Sequence, residues 1–440
     1  MSELIAARIL KGFRDFLPAD EAKRRVLSAR IEKVFCSYGF VPIDTPALEF
    51  SEVLLGKGSG ETEKQIYRWH DNGGRDVALR FDLTVPFARY IAGHRSELPM
   101  PFKRYHIAKV WRGENTQRGR YREFTQCDID IIGMANAASD AEILIMMREA
   151  LFAIGAAPLT IHVNHRGLFN RFLTRMGIED KLIAILRTVD KLSKINRTEI
   201  EAQLTELCGW QNTAQIMDFI ELKGDWDHVL LGMANLAGGE DQDTKRLREI
   251  ALFLNDSGIE NGIILNPSIT RGLDYYTGLV FETFMDEAPE IGSVCSGGRY
   301  DNLCALYTNE ALTGVGGSIG LDRLIAALES LNRAENKSPY AFCAIACVNE
   351  AHFGICQRLA KQIREAGFSC EIYSEAKKLS SQFIQAEKKG TCFMLIPDID
   401  SPYTNDLTLR NLSTRQDKRC SVEEAIKIFS AYPLAGLKGV

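Results

Sequence analysis

The 440-residue sequence lacks several features that would assign it to a protein class at once. It contains no CxxC pair, no apolar run of membrane-spanning length, no internal repeat and no low-complexity tract. Its first residues lack the long apolar stretch of a secretory signal peptide. The eleven cysteines, an odd number, are therefore expected to be reduced thiols rather than disulfide partners or zinc ligands. We expect a cytoplasmic protein without a membrane segment.

Neither sign of charge is in large excess. Lys and Arg together number 53 and Asp and Glu 58, which gives a net charge of −5. A polyanionic partner would therefore have to be met by local basic patches. The hydrophobic fraction of 45% and the charged fraction of 25% are typical of globular proteins, and they exclude a mainly disordered, collagen-like or membrane-embedded chain.

An amphipathic helix is predicted over residues 20–36. Leu27 and Ile31 recur there at helical spacing, Asp20 is expected to cap the N-terminus, and Gly39 is expected to end the helix. Such a helix would pack one face on a core.

The rest of the chain predicts a mixed domain with an insertion, followed by a smaller α/β domain. Residues from about 171 to 260 are rich in charge and have the periodicity of helices, inside a region that otherwise predicts alternating strands and helices. Residues 333–339 are polar and predict a linker. The predicted domains are therefore 1–332, interrupted by the insertion, and 338–440.

The segment 104–131 carries the most chemical information. If 120–131 is a strand, its period of two places six side chains on one face: Arg120, Arg122, Phe124, Gln126, Asp128 and Asp130. A solvated sheet face could show the same alternation. However, the preceding predicted strand ends at Arg112 and Glu114. Arginines from two adjacent strands, with an aromatic ring between them, suit a nucleotide, because guanidinium groups bind phosphate and a ring stacks on a base.

A glycine-rich segment, GVGGSIGLDRLIAAL (314–328), predicts a tight turn that opens a helix carrying Arg323. It is not a dinucleotide fingerprint, because Ile319 occupies the place of the third glycine, and the chain has no Walker A lysine. Taken alone, the segment indicates only a turn and close helix packing.

These segments resemble the motifs of class II aminoacyl-tRNA synthetases. Residues 112–124 are similar to motif 2, residues 314–328 to motif 3, and GFVPIDTPAL (39–48) to motif 1. In motif 1 the family's proline, here Pro46, lies at a dimer interface. The resemblance therefore implies a homodimer.

Four further segments resemble histidyl-tRNA synthetases in particular. RGLDYYTGLVFETF (271–284) and CSGGRYDNL (295–303) are similar to the two signatures of that family. KGFRDFLP (11–18) and RFDLTVPFARY (80–90) also match it, and the matches follow the family's order over most of residues 11–330.

The resemblance implies five ATP-binding residues. Arg112 would hold the α-phosphate, Glu114 would read the adenine amino group, and Phe124 would stack under the base. Arg120 would meet the outer phosphates, and Arg323 would cover the other face of adenine near the γ-phosphate. ATP is implied as a substrate together with Mg²⁺, for which no protein ligand is assigned.

The resemblance also implies a histidine pocket. Its residues would be Asp82, Leu83, Thr84, Arg112, Gln126, Asp130, Arg271, Tyr275 and Tyr276. The ammonium would lie against Asp82, Thr84 and Gln126, and the imidazole between Asp130 and the tyrosine pair. Arg112 and Arg271 would be the catalytic residues beside the substrate carboxylate and the α-phosphate. A pocket that bonds both ring nitrogens rejects apolar amino acids, which would leave its polar groups unpaired.

The implied fold class is α/β. It consists of an α+β catalytic domain with a mixed, mainly antiparallel sheet, a helical insertion, and a small C-terminal α/β domain that binds an anticodon. The implied activity is that of a histidine–tRNA ligase with tRNA(His), L-histidine and ATP as partners. The match is weaker over 338–440, so no anticodon-reading residue is named there.

Two other interpretations stay open from sequence alone. One is a non-catalytic paralogue that keeps the fold without aminoacylation; the retained RGLDYY segment, Arg112, Arg323 and the C-terminal domain argue against it. The other is a class II synthetase for glycine, threonine or proline, against which the RGLDYY and SGGRYD segments argue.

Overall fold

The computed structural model describes residues 4–56, 61–193, 195–259, 261–270, 275–333, 341–398 and 406–432. The chain divides into two compact units. The first is Met1–Asp15 with Leu27–Ala334, and the second is Phe16–Val26 with Glu335–Val440. The boundaries expected from sequence are 1–332 and 338–440. They place Phe16–Val26 in the first domain, whereas this division groups that segment with the second unit.

The first hundred residues form short elements that follow one long helix. In chain order these are α1 (Pro18–Ser37), β1 (Val41–Pro42), β2 (Leu48–Phe50), α2 (Ser51–Leu55), α3 (Glu61–Gln65), β3 (Arg68–His70), β4 (Asp76–Leu79) and α4 (Thr84–Gly93). Strands β2, β4 and β3 form an antiparallel sheet in that order.

Helix α1 confirms the helix predicted for this region. Leu27 and Ile31 are buried in the main core, as the periodicity predicts. The helix begins at Pro18, however, so Asp20 lies in its first turn and the prediction that Asp20 is the N-cap is wrong. Proline suits the start of a helix, because its φ is already helical and its missing N–H would have no partner there.

The middle of the chain supplies two long strands, one helix and one further strand: β5 (Phe102–Trp111), β6 (Glu123–Ile132), α5 (Ala137–Ala153) and β7 (Leu159–His165). Six helices then occupy the region where the sequence predicts an insertion: α6 (Arg166–Arg175), α7 (Leu182–Val189), α8 (Arg197–Cys208), α9 (Trp210–Ile220), α10 (Trp226–Leu236) and α11 (Gln242–Asp256). The first unit closes with β8 (Ile263–Leu265), β9 (Leu279–Met285), β10 (Cys295–Tyr300), β11 (Gly314–Gly320) and α12 (Leu321–Ser330).

Eight strands of the first unit form one sheet, in the order β1-β5-β6-β11-β10-β9-β7-β8. The terminal pairs β1/β5 and β7/β8 are parallel, and the pairs between them are antiparallel. The predicted mixed, mainly antiparallel sheet is therefore confirmed. Helix α5 packs on β11, and Met147 of this helix and Val315 of β11 belong to the same apolar core as Ile129 of β6.

Strand β6 is central to this sheet and starts later than predicted. It begins at Glu123, so Arg120 and Arg122 lie in the preceding loop and not on the strand face. The reason is a tight turn: the backbones of Gln117 and Arg120 bond to each other, and Gly119 has φ +72°. Beyond Glu123 the predicted alternation is confirmed, because Cys127, Ile129 and Ile131 lie in the apolar core.

The glycine-rich segment before α12 is a strand, so the predicted tight turn is wrong. Strand β11 pairs with β6 on one side and with β10 on the other. A Cβ added at Gly316 would lie 2.1 Å from Asp130 Oδ1 and 2.4 Å from the Ile129 carbonyl oxygen. Glycine is needed here because the neighbouring strand approaches closely, not because the chain turns.

The second unit contains its own sheet and helices. They are β12 (Cys343–Ile345), α13 (Phe353–Glu365), β13 (Cys370–Ile372), α14 (Leu379–Lys388), β14 (Phe393–Pro397), β15 (Asp406–Asn411), β16 (Asp417–Ser421) and α15 (Val422–Ser430). The strand order is β13-β12-β14-β15-β16, with the first three parallel and the last two antiparallel to their neighbours. This agrees with the small α/β domain predicted from sequence.

None of the helices in the described part of the chain is both long enough and apolar enough to cross a bilayer.

Candidate functional site

A cavity of about 650 Å³ lies against the polar face of β6. Its wall brings together most of the residues that the sequence proposed: Asp82, Thr84, Arg112, Glu114, Arg120, Phe124, Gln126, Asp130, Tyr275, Tyr276 and Arg323. Leu83 is not among the lining residues; its side chain is fully buried and its carbonyl accepts a hydrogen bond from Arg104 at 3.2 Å. Arg271 lies outside the described residues.

Guanidinium groups and one aromatic ring form one end of the cavity. The Arg112 guanidinium lies 5.2 Å from the centroid of the Phe124 ring, and its Nε donates to the Phe81 carbonyl at 2.8 Å. Arg120 is paired with Glu114 at 3.0 Å. This end has the cations and the ring face that a nucleoside phosphate requires.

Arg323 lies on α12 and is held at the cavity wall. Its NH1 donates to the Ser293 carbonyl at 2.8 Å. The neighbouring Asp322 accepts from the Thr125 N–H of β6 at 2.7 Å, so α12 is fixed directly to the strand that carries Phe124.

The KGFRDF segment connects the same elements. Arg14 forms an ion pair with Asp322 and lies 3.3 Å over the Tyr121 ring. The Gly12 carbonyl accepts from the Arg122 N–H at 2.9 Å. Arg14 therefore links the loop before β6 to the start of α12, although the two are far apart in sequence.

Buried carboxylates dominate the other end of the cavity. Asp82, Asp128 and Asp130 are each no more than 2% exposed. Arg104, which is fully buried, forms an ion pair with Asp130 and lies 4.4 Å from the centroid of the Phe87 ring. Among the described residues, Arg104 is the fully buried guanidinium beside these three buried carboxylates, and Arg112 acts on Asp82 from the cavity wall. The carboxylates still outnumber these cations, which suits a ligand with a cationic or N–H-rich group.

Tyrosine hydroxyls bond two of these carboxylates. The Tyr300 hydroxyl donates to Asp130 Oδ1 at 2.5 Å, and the Tyr275 hydroxyl donates to Asp82 Oδ2 at 3.2 Å. The rings of Tyr275 and Tyr276 pack edge to face with centroids 5.0 Å apart. The hydroxyls of Tyr300 and Tyr275 therefore each orient a carboxylate that lies on another segment of the chain.

Burial raises the pKa of Asp128 to about 7 and that of Asp130 to about 6, and the Arg104 guanidinium opposes both shifts. Burial also raises the pKa of Asp82, against the Val85 N–H and Arg112. Such shifts are found at binding and catalytic sites, where a ligand later supplies the missing positive charge.

Replacing Asp128 with asparagine is expected to stabilise the ligand-free protein at pH 8. The pKa of about 7 lies above the ordinary 3.8, so the folded state binds this proton more tightly than the unfolded state and loses stability as pH rises from about 4 to about 7. An upper bound for this cost is roughly 2–4 kcal/mol, or about 2–5 °C in melting temperature. Because the carboxyl of the unfolded chain already ionises near pH 4, the difference at pH 5 should be roughly a third of that at pH 8.

Melting temperatures measured between pH 5 and 8 test this expectation. Asp286→Asn is the matched control, because this carboxylate is exposed and accepts a hydrogen bond from the Thr160 hydroxyl at the surface. A stabilisation of the Asp128 variant that is the same at both ends of the pH range would contradict a titrating buried carboxylate.

Several lining residues were not found from sequence. Tyr300 lines the wall and donates to Asp130, and the helical region that begins at Arg166 contributes Arg166, Arg187 and Lys191. Arg104, which is fully buried and not a lining residue, forms an ion pair with Asp130. Arg104 is the residue opposite Asp130 in the β5/β6 register, so correct strand pairing could have found it. No local pattern marks the insertion residues.

The described residues contain no cluster of three or more His, Cys, Asp or Glu side chains that could hold a metal ion.

Comparison with known proteins agrees with the resemblance found in the sequence. A family model described as histidyl-tRNA synthetase matches residues 12–324, and one described as anticodon binding domain matches residues 343–432. The chain is 50% identical to the histidine–tRNA ligase of Treponema denticola, with 97% of this chain and 98% of the relative covered. It is 46% identical to that of Treponema pallidum strain Nichols, with 97% and 98% covered.

A solved structure gives the same result for the fold. The crystal structure of histidyl-tRNA synthetase from Nostoc sp. PCC 7120 superposes with a TM-score of 0.86 at 31% identity, covering 98% of this chain and all of that one. The resemblance is therefore confirmed, and the chain belongs to the histidyl-tRNA synthetase family.

Proposed function

We propose that this chain is a histidine–tRNA ligase that activates L-histidine with ATP and transfers it to the 3′ end of tRNA(His). The observation that carries the proposal is the face of β6, on which Phe124, Gln126 and Asp130 all line one cavity. That strand joins the end with cations and a ring to the end with buried carboxylates, as an enzyme that brings a nucleotide to a polar amino acid requires. Relatives named histidine–tRNA ligase, which are 40–50% identical over nearly the full chain, support the activity.

The carboxylate end is proposed to bind histidine. Asp130 accepts a hydrogen bond from one ring nitrogen, and a phenol of the Tyr275/Tyr276 pair meets the other. The ammonium lies near Asp82, Thr84 and Gln126. The burial of these groups supports the assignment, because an amino acid without ring nitrogens would leave them unpaired at a large energetic cost.

The guanidinium end is proposed to bind ATP. Phe124 and Arg323 take the two faces of adenine, Glu114 its amino group, and Arg120 the outer phosphates. Arg120 is bonded to Glu114 at 3.0 Å in the ligand-free cavity, so this pair is expected to separate when the nucleotide enters.

Arg112 is proposed to act where the two substrates meet. Its guanidinium lies beside Phe124 and is bonded to the Phe81 carbonyl, the residue before Asp82. A histidine carboxylate oxygen bonds to the α-phosphorus while the bond from that phosphorus to the β-phosphate oxygen breaks, and pyrophosphate leaves. Arg112 stabilises the charge that develops on the α-phosphate oxygens. Arg271 is expected to assist, and its role stays a prediction.

In the second step a terminal ribose hydroxyl of the tRNA attacks the adenylate carbonyl and AMP leaves. ATP enters as its Mg²⁺ complex. Because the described residues hold no cluster of three metal-binding side chains, the phosphates and water are expected to supply most of the ion's ligands, as is usual for Mg²⁺.

The second unit is proposed to bind the anticodon of tRNA(His), which the match of residues 343–432 to an anticodon-binding domain supports. A cytoplasmic location is part of the same proposal, since the tRNA is charged there.

The active form is proposed to be a homodimer. Val41 and Leu48 of the segment that resembles motif 1, and Phe50 just after it, are between 41% and 49% exposed. Such apolar surface is commonly covered by a partner. Light scattering after size exclusion measures the mass and tests this.

Amino-acid-dependent exchange between ATP and pyrophosphate tests the function. We expect histidine alone, among the twenty amino acids, to support exchange, because only its ring offers two nitrogens to Asp130 and the tyrosine pair. Exchange with glycine, threonine or proline would identify another class II synthetase. No exchange with any amino acid, from protein with a normal melting transition, would indicate a non-catalytic paralogue.

A further inference from the structure

Ser318 of β11 connects two side chains of β6 at the cavity. It lies opposite Asp128 in the strand register. Gln126 Nε2 donates to Ser318 Oγ at 2.6 Å, and the Ser318 hydroxyl is hydrogen-bonded to the Asp128 carboxylate. A hydroxyl has one hydrogen and a carboxylate has none to give, so the serine must accept from the amide and donate to the carboxylate.

This arrangement leaves two oxygen atoms without partners. Gln126 uses its NH₂ on Ser318, so its Oε1 remains as an acceptor; Asp128 uses one oxygen, so its Oδ1 remains. Both atoms are buried and have no hydrogen-bond partner among the described residues, and both residues line the cavity. Buried acceptors are costly when unsatisfied, so their natural partner is a ligand that brings donors.

The carboxylate of Asp82 is in a different state. One of its oxygens accepts from the Val85 N–H at 3.1 Å and the other from the Tyr275 hydroxyl at 3.2 Å. Each carboxylate oxygen of Asp82 therefore already accepts one hydrogen bond, whereas Oδ1 of Asp128 accepts none from the described residues. Gln126, Asp128 and Asp130 are alternate residues of β6, about 6.6–7 Å apart along one face of the strand. Asp128 therefore lies between Gln126 and Asp130, the residue proposed to bind the ring.

We propose that Asp128 is a recognition residue for the α-ammonium of the amino-acid substrate, and that Ser318 is a positioning residue that turns the free oxygens of Gln126 and Asp128 toward it. The inference rests on the proposed histidine site and adds to it a carboxylate that the sequence resemblance does not assign. An ammonium carries three N–H donors and a positive charge, which matches two acceptors on the same strand face of which one is charged.

The test measures how variants bind three ligands. L-histidine has an ammonium, a carboxylate and the ring; histamine keeps the ammonium and the ring; imidazolepropionate keeps the carboxylate and the ring. Binding constants come from calorimetry, or from inhibition of histidine-dependent exchange, with the full-length protein.

We expect Asp128→Asn to weaken histidine and histamine by about 10- to 100-fold, the range for loss of a charged hydrogen bond, and imidazolepropionate by less than about twofold. Ser318→Ala should show the same selectivity with a smaller loss, since the two acceptors remain but are no longer oriented. Asp130→Asn should weaken all three ligands, because all three carry the ring. Asp286→Asn and Ser330→Ala, which lie outside the cavity wall, are the matched controls.

Equal weakening of imidazolepropionate and histidine by Asp128→Asn would overturn the proposal, because the carboxylate would then serve the ring. Unchanged binding of all three ligands would also overturn it. Either result is separate from the proposed function, which fails only if the wild-type protein shows no histidine-dependent exchange.

Discussion

Replacing Arg112 with alanine is expected to slow histidine-dependent ATP–pyrophosphate exchange by about 10²–10³-fold, the usual cost of removing a preorganised donor from a developing charge. Its guanidinium lies between the Phe124 ring and the Phe81 carbonyl, at the junction of the two proposed subsites. Because the charge that Arg112 is proposed to meet develops during transfer of the adenylyl group, the loss should appear in kcat more than in the KM for histidine. Steady-state exchange at varied histidine and ATP concentrations measures both.

Arg112→Lys separates charge from geometry. Lysine supplies a cation but lacks the planar fork that bonds the Phe81 carbonyl while facing a phosphate, so we expect an intermediate rate. Arg95→Ala is the control, since this arginine pairs with Glu310 at the surface. A near-normal kcat in Arg112→Ala would remove the residue from the mechanism.

The features that the sequence predicts correctly are those set by the local repeat of apolar and polar side chains along a helix or a strand. Helix α1 buries Leu27 and Ile31, and β6 places Gln126 and Asp130 on the opposite side from Ile129. Both follow from backbone geometry, which repeats every 3.6 or 2 residues whatever the rest of the chain does. The cavity could therefore be proposed from one strand and its flanking motifs.

What the sequence did not predict depends on contacts between strands distant in the chain. Strand β11 was expected to be a turn because glycine usually marks turns, but Gly316 is needed to make room for Asp130 across the β6/β11 pair. Arg104 gives no local signal either, since an arginine in a strand is ordinarily exposed. Its role as the buried partner of Asp130 exists only after β5 and β6 pair.

The position of Arg104 also explains how the pocket tolerates its carboxylates. An unpaired buried charge costs several kcal/mol, and Asp130 avoids part of that cost through Arg104 and the Tyr300 hydroxyl. The remaining excess of carboxylate is a cost in stability that the bound substrate is expected to offset.

Asp130→Asn is expected to reduce discrimination between histidine and an isostere without ring nitrogens, 2-thienylalanine, by about 10–100-fold, because a site of the proposed kind rejects such analogues by about 10⁴–10⁵. Asparagine keeps the shape and one acceptor for Arg104, which avoids leaving that guanidinium wholly unpaired. The KM for histidine should rise, while the KM for ATP should stay near the wild-type value, since Asp130 lies at the carboxylate end. Exchange rates with each amino acid give kcat/KM for both.

Tyr300→Phe is the companion variant for this prediction. It removes only the hydroxyl that donates to Asp130, so the carboxyl group remains in place but loses one of the groups that orient it. We expect a smaller loss of discrimination than in Asp130→Asn, and no further loss when the two changes are combined, because both act through the same carboxylate. Fully additive losses would mean that Tyr300 contacts the substrate independently, and unchanged discrimination in Asp130→Asn would place the imidazole elsewhere in the cavity.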